Sequence, residues 1–148
     1  DNMNDKFYME KALHQASIAY ENDEVPVGAI IVYHDEVIAS AYNTNQKDKN
    51  ALMHAELKVI DQACRYLNSK TLEDCTLYIS LEPCMMCLGA IKNARISRVV
   101  FAAFDLEYGS VISNQFYKDD KSINWMSGIL KEEACQLLKK YFKNKRKD

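Results

Sequence analysis

The 148-residue sequence has no apolar run near the ~18 residues that a membrane-spanning helix requires, so no segment is expected to cross a bilayer. Internal repeats are absent, and so is any linker that would divide the chain, which predicts a single domain over residues 1–148. The opening Asp1-Asn2-Met3-Asn4-Asp5 lacks the basic-then-apolar pattern of a secretory leader. Five cysteines are an odd number and do not have the spacing of a disulfide framework. A net charge of −2 argues against a protein that coats nucleic acid without specificity. These shortages predict a soluble, cytoplasmic domain.

What is present suits a folded protein. Hydrophobic residues make up 48% and charged residues 27% of the chain. A domain of this length buries roughly 70% of its unfolded surface. Asn4 or Asp5 can cap a helix over residues 6–21, with Phe7, Leu13, Ala16 and Tyr20 near one face. Residues 28–33 and 37–42 are apolar, β-branched runs around His34-Asp35-Glu36, which predicts a hairpin. A polar connector over 43–53 leads into a helical run at 55–67, then a turn-rich link into a strand at 76–81. A helix from Pro83 to Asn93 and a strand at 98–104 follow, then residues 105–121 without periodicity and a closing helix at 132–145. Strands separated by helices imply parallel crossovers after an antiparallel start, hence a mixed sheet covered by helices.

The chemistry resides in one pattern, His54-Ala55-Glu56 followed by Pro83-Cys84-Met85-Met86-Cys87. One imidazole and two thiolates are three metal ligands, and three protein ligands leave a tetrahedral zinc one position for water. Zinc lowers the pKa of such a water towards ~7. Glu56 is then free to carry protons between that water and the group expelled. Pro83 suits the first position of a helix. Cys84 and Cys87, three apart, would share a face in the first turn, where the helix dipole favours thiolate. His54 and Glu56 open the other helix, so two helix starts are expected to meet at one metal. Two plainer readings stand beside this one. Cys84-x-x-Cys87 could be a redox pair following a strand, or half of a structural zinc knuckle completed by Cys64 or Cys75.

Other features carry weaker signals. With two cysteines given to metal, Cys64, Cys75 and Cys135 are expected to be reduced, buried or half-buried thiols. His14 and His34 have no ligand-spaced partners and read as ordinary residues. Met85 and Met86 are expected to fill apolar space around the metal. Lys139, Lys140, Lys143, Lys145, Arg146 and Lys147 put six cations into the last ten residues, with Tyr141 and Phe142 among them. That tract is either a solvated helix end or a phosphate-binding patch with aromatics for stacking.

The His-x-Glu…Pro-Cys-x-x-Cys pattern is that of zinc deaminases, and the chain resembles the bacterial tRNA adenosine deaminases of the cytidine deaminase superfamily. The resemblance runs from about Tyr8 to Arg146. It includes Glu24-Val25-Pro26-Val27-Gly28-Ala29-Ile30-Ile31-Val32, Leu72-Glu73-Asp74-Cys75-Thr76-Leu77-Tyr78, Gly89-Ala90-Ile91 and Arg95-Ile96-Ser97-Arg98-Val99-Val100-Phe101. It also includes Phe142-Lys143-Asn144-Lys145-Arg146 at the C-terminal helix end. The resemblance implies a three-layer αβα sandwich with a central mixed five-stranded sheet, a homodimer, and deamination of adenosine to inosine at the tRNA wobble position. It implies one zinc per chain on His54, Cys84 and Cys87, with Glu56 as proton shuttle. It matches Asn43 to a residue that hydrogen-bonds the flipped nucleotide, although on spacing alone Asn43 reads equally as a turn residue. It matches Asp105 to an acidic RNA contact, and Phe142, Lys143, Lys145 and Arg146 to an RNA-binding tail for the anticodon stem-loop.

Two segments depart from the family pattern: Asp105-Leu106-Glu107-Tyr108-Gly109-Ser110, with an acid where a base is usual and a single glycine, and Ala51-Leu52-Met53 in place of Pro-Thr-Ala. Both are expected to border the substrate pocket. Two other functions remain open at this point. One is a free nucleobase or nucleoside deaminase of guanine or cytosine type, which the altered loop favours. The other is a zinc-stabilised RNA-binding module without activity, which Glu56 opposes.

Overall fold

The computed structural model describes residues 3–114 and 121–146. Lys147 and residues 115–120 of the aperiodic stretch lie outside the described residues. The elements in chain order are α1 (Met3–Glu21), β1 (Gly28–Tyr33), β2 (Glu36–Tyr42), α2 (Asn45–Asp48), α3 (Ala55–Leu67), β3 (Cys75–Leu81), α4 (Met85–Asn93), β4 (Arg98–Ala103), β5 (Asn124–Ser127) and α5 (Lys131–Arg146).

The sheet has five strands in the order β2-β1-β3-β4-β5. Strand β1 pairs antiparallel with both β2 and β3, and the β3–β4 and β4–β5 pairs are parallel. The mixed sheet is therefore as expected. Its fifth strand is one that the residue pattern does not predict, since Asn124-Trp125-Met126-Ser127 is short and polar at both ends. The hairpin turns on His34 and Asp35, with φ of 48° and 65°, the left-handed pair that matches strand twist in a two-residue loop.

Side-chain alternation divides the core into two layers. Ala29 and Ile31 of β1, Leu77 and Ile79 of β3, and Val99 and Phe101 of β4 pack with Ala55, Val59 and Ala63 of α3 and Leu88 and Ile91 of α4. Ile30 and Val32, Tyr78, and Val100 and Ala102 point to the other face, against Tyr8, Met9 and Ala12 of α1 and Ala134 of α5. Helix–sheet–helix layers follow, the αβα sandwich of cytidine deaminase-like folds.

Two contacts fix α1 on the sheet. A Cβ at Gly28 would run into the backbone carbonyl of Ala12 and the backbone nitrogen of Ala16, so only glycine lets the helix lie this close. Asp5, one of the two residues expected to cap α1, instead lies inside its first turn and is fully buried. Its two oxygens accept from Arg98 Nη1 and Nη2 at 2.8 Å each, and Oδ1 also accepts from the Tyr78 hydroxyl at 2.7 Å.

Direction in the sheet decides where a site can form. Strands β2, β3, β4 and β5 run one way and β1 runs the other. The carboxyl ends of β2, β3 and β4 therefore share one edge with the entry to β1. That edge receives Asn43, Glu82-Pro83-Cys84 and Asp105, and residues 24–27.

The Arg98 hydrogen bonds hold the Asp5 carboxyl down to about 2, against burial, from an ordinary 3.8. A carboxylate with a depressed folded-state pKa stabilises the fold above its unfolded value and loses that stabilisation as pH falls through the folded one. Asp5 should thus contribute about 2 kcal/mol at neutral pH, disappearing between pH ~4 and ~2. Asp5→Asn should cost about 3 kcal/mol at pH 7, because Arg98 is left without its charge partner. It should also flatten that acid limb. Denaturant unfolding of both proteins across this pH range measures each effect.

Candidate metal centre and its cavity

Helices α3 and α4 begin at the metal-ligand candidates. His54 occupies the cap position of α3 and Cys84 that of α4, both with extended backbone, and neither side chain caps its own helix. Both side chains are therefore free to face the space between the helix starts. Helix α4 starts at Met85, so Pro83 precedes the cap and does not fill the first helical position as predicted. The Pro83 carbonyl accepts from the Ser110 backbone N–H at 2.9 Å and its hydroxyl at 2.8 Å. Cys84 and Cys87 still share a side.

His54 Nδ1 lies 3.4 Å from Cys87 Sγ and 3.9 Å from Cys84 Sγ, and the three donor atoms are within 4.8 Å of one another. A nitrogen and a sulfur at ordinary zinc distances in a tetrahedron are about 3.6 Å apart. The donor set and its spacing therefore fit such an ion. Among the described residues neither Cys64 nor Cys75 joins the cluster. Three ligands without a fourth oppose the structural-knuckle reading, and a histidine against both sulfurs opposes a simple redox pair.

Charge in the site follows from these contacts. The Cys87 hydrogen bond, and then His54, pull the Cys84 thiol down to about 4 against burial. Hydrogen bonding to Cys84 and burial push Cys87 up, and the Cys84 contact raises His54. A negative sulfur held beside a histidine is the chemistry a soft divalent cation would meet. Glu56, in the first turn of α3, is almost fully buried, and burial pushes its carboxyl up to about 7.

His54, Glu56 and Cys84 share a cavity of about 420 Å³ with Asn43, Asp105 and Tyr108. Asn43 is buried, and its Oδ1 accepts the Ala55 N–H at 2.8 Å, satisfying from outside the helix one of the first amides of α3 that has no helical partner. Because Oδ1 is committed to a donor, the amide NH2 is what Asn43 can offer the cavity. Asp105 lines the cavity but turns Oδ1 back on its own loop, accepting from the N–H groups of Glu107 at 3.2 Å and Tyr108 at 3.0 Å. Of the two departing segments, the first borders the cavity through Asp105 and Tyr108. The cavity lining does not include Ala51, Leu52 or Met53.

Two buried carboxylates escaped the residue pattern. Glu24 caps α2, accepting from the Gln46 N–H at 2.9 Å and the Lys47 N–H at 2.8 Å. Glu82 accepts from Asp105, Val111, Ile112 and Ser113. Burial would raise its pKa, yet these hydrogen bonds, Ser113 foremost, hold it below the usual range. An acid between an apolar strand and Pro83-Cys84 was the available signal. The other minor expectations divide. Cys75 is buried, and Cys64 and Cys135 are half-buried. His14 and His34 are exposed. Met85 is 61% exposed, so it does not fill space around a metal, because the first residue of α4 faces outward from the site.

The basic helix end is exposed from Phe142 to Arg146. Lys145 Nζ lies 2.7 Å from Asp23 Oδ1, and Asn144 Nδ2 donates to the Tyr20 hydroxyl. The groove containing Tyr141, Lys145 and Asp23 shares Glu24 and Gln46 with the cavity of His54 and Glu56. Chain distance alone gave no hint of that adjacency.

A family model described as MafB19-like deaminase matches residues 3–146. A tRNA-specific adenosine deaminase of Aquifex aeolicus is 43% identical, over 97% of each chain. A tRNA:A34 deaminase, studied for A-to-I editing at the wobble position, superposes with a TM-score of 0.84 at 38% identity, covering 89% of this chain and 99% of that one. A guanine deaminase of Nitrosomonas europaea shares the fold, with a TM-score of 0.81 at 23% identity over 92% of this chain and 83% of that one. With this level of identity along almost its whole length, the chain belongs to the tRNA-specific adenosine deaminase family.

Proposed function

We propose that this protein hydrolyses adenosine to inosine at the wobble position of tRNA, with one zinc per chain on His54, Cys84 and Cys87 and with Glu56 as the catalytic acid–base. The observation that carries this reading is the meeting of those three donors beside a cavity that His54, Cys84 and the buried Glu56 line together, in a chain 43% identical to a tRNA-specific adenosine deaminase. A zinc held there supplies a Lewis acid that makes water nucleophilic at neutral pH. Glu56 takes a proton from the attacking water and returns protons to the base, so that water enters and ammonia leaves. Its burial keeps bulk water from competing for those protons. The Asn43 NH2 donates to an acceptor on the extruded nucleotide.

Only one nucleotide enters the cavity, so the rest of the anticodon stem-loop is held outside it. Phe142, Lys143 and Arg146 are exposed at the end of α5, the helix whose Tyr141 and Lys145 line the groove adjoining the cavity, and their chemistry suits an unstacked base and phosphates. A tRNA substrate implies a cytoplasmic location, and no described helix is long and apolar enough to cross a membrane. A homodimer belongs to the same reading. Exposed Leu52 and Met85, flanking the two helix starts, support it as apolar surface in need of cover.

Three measurements test this reading. Glu56→Gln should bind about one zinc per chain and stay folded, with turnover of an anticodon stem-loop down at least ~100-fold. Cys87→Ala should lose zinc and melt lower, because metal-binding free energy is partly folding free energy. Substantial activity in Glu56→Gln would remove the residue from the mechanism, and a folded wild type with neither turnover nor stem-loop binding would favour a free-nucleobase deaminase.

Asn43 has two separable tasks. Asn43→Ala leaves the Ala55 N–H unpaired and should cost ~1–2 kcal/mol of stability as well as activity. Asn43→Asp keeps the accepting oxygen and loses the NH2, so its melting point should stay closer to wild type while turnover falls. Equal activity in Asn43→Asp and wild type would reduce the residue to a helix cap.

Removing residues 143–148 should weaken stem-loop binding and flatten its salt dependence, leaving zinc content unchanged. Titration at several salt concentrations reads both quantities, and no change in either would exclude the tail contact.

A further inference from the structure

We infer that Glu82 is a positioning residue for the RNA, whose carboxylate hangs the cavity rim from the strand end of the metal site and so holds Tyr108 as a stacking face for a base beside the target nucleotide. The inference rests on the RNA substrate proposed above.

Glu82 is 2% exposed and gathers five donors. Oε1 accepts from the Ser113 hydroxyl at 2.6 Å and the Asp105 N–H at 3.2 Å. Oε2 accepts from three successive amides, Val111 at 3.1 Å, Ile112 at 2.7 Å and Ser113 at 3.0 Å. Consecutive amides converging on one anion form a nest, and here the anion is a side chain of the protein itself. Ser110 adds two bonds to the Pro83 carbonyl. Gly109 sits so close that a Cβ there would overlap the Glu82 carboxyl and the Asp105 carbonyl. The base of the rim is therefore fastened to Glu82-Pro83, the two residues immediately before Cys84.

The tip is built differently. Asp105 shapes the turn through its Oδ1 contacts, but Leu106 is 83% and Tyr108 65% exposed, although Tyr108 also lines the cavity. A tightly held base carrying an exposed aromatic ring at a cavity mouth calls for a planar, partly apolar partner. Extruding one nucleotide into the cavity strips its neighbours of stacking, and base-on-aromatic stacking restores it without regard to sequence. Glu82 acts on that base only through the rim.

The test uses the full-length, zinc-loaded protein and an anticodon stem-loop. Glu82→Gln places an NH2 against N–H donors and should raise KM about 10-fold with kcat within about 3-fold of wild type. Zinc should stay at one per chain, and hydrogen exchange at the amides of Val111, Ile112 and Ser113 should accelerate while β3 is unchanged. Gly109→Ala disturbs the same clamp from the other side and should behave alike, which covers a failure of Glu82→Gln to fold. Tyr108→Ala should raise KM similarly, Tyr108→Phe should restore it, and Glu82→Gln with Tyr108→Ala should be no worse than the worse single variant. Faster exchange with unchanged KM would make the clamp purely structural and overturn the inference, as would additive effects. Loss of a dimer in Tyr108→Ala at unchanged KM would assign the ring to a protein interface and also overturn it. Failure of the unsubstituted protein to turn over the stem-loop would sink the proposed function and this inference together, and is recognised by occurring without any substitution.

Discussion

The site depends on α3 and α4 beginning at the same point beside the carboxyl ends of the strands. Both helices start on a residue that donates to the metal cluster, His54 in one case and Cys84 in the other. Their own side chains do not satisfy the first amides of the helices, so other residues must. For α3 that residue is Asn43, which reaches the Ala55 N–H from the end of β2. The geometry of the donors therefore depends on β2 and β3 being held in register across β1. That in turn depends on the close seating of α1 over Gly28 and on the buried Asp5–Arg98 pair.

What was legible in the sequence was local. The His54-x-Glu56 and Cys84-x-x-Cys87 spacings, the apolar runs of β1 to β4 and the periodic faces of α3 and α5 are all encoded over a few residues. Strand β5 was not legible, because it is four residues long and owes its place to pairing with β4. Glu82 was missed for a related reason: its partners lie 23 to 31 residues away in a stretch without periodicity. The cap made by Asn43 crosses 12 residues, so the spacing of neighbouring residues could not reveal it. Met85 failed in the opposite sense. An apolar residue between two ligands suggests filling, but a helix turns each successive side chain by ~100°, and this one faces away.

The cavity joins parts with different degrees of restraint. Glu56 and Asn43 sit on the buried starts and ends of regular elements, which suits groups that must meet a reacting atom to within a fraction of an ångström. Tyr108 and the end of α5 are exposed, where the proposed RNA contacts would be met with tolerance. The resemblance to a guanine deaminase at the level of fold alone fits this division, because a shared core can serve substrates that differ in everything outside the pocket.

The hairpin at His34-Asp35 lies at the end of the sheet away from the catalytic edge. Its two left-handed residues close the turn with no spare length, and the Asp35 carbonyl accepts from the Tyr8 hydroxyl at 3.0 Å. Among the described residues, the hydrogen bond of this hairpin to α1 leads away from His54, Cys84, Cys87 and the rim. The molecule thus has a working edge and an idle one, and additions to the chain should be absorbed most readily at the idle one. Lengthened by a few residues or interrupted by an inserted module, this hairpin would be a handle for tethering the enzyme to another protein while the pocket remains facing away from the attachment.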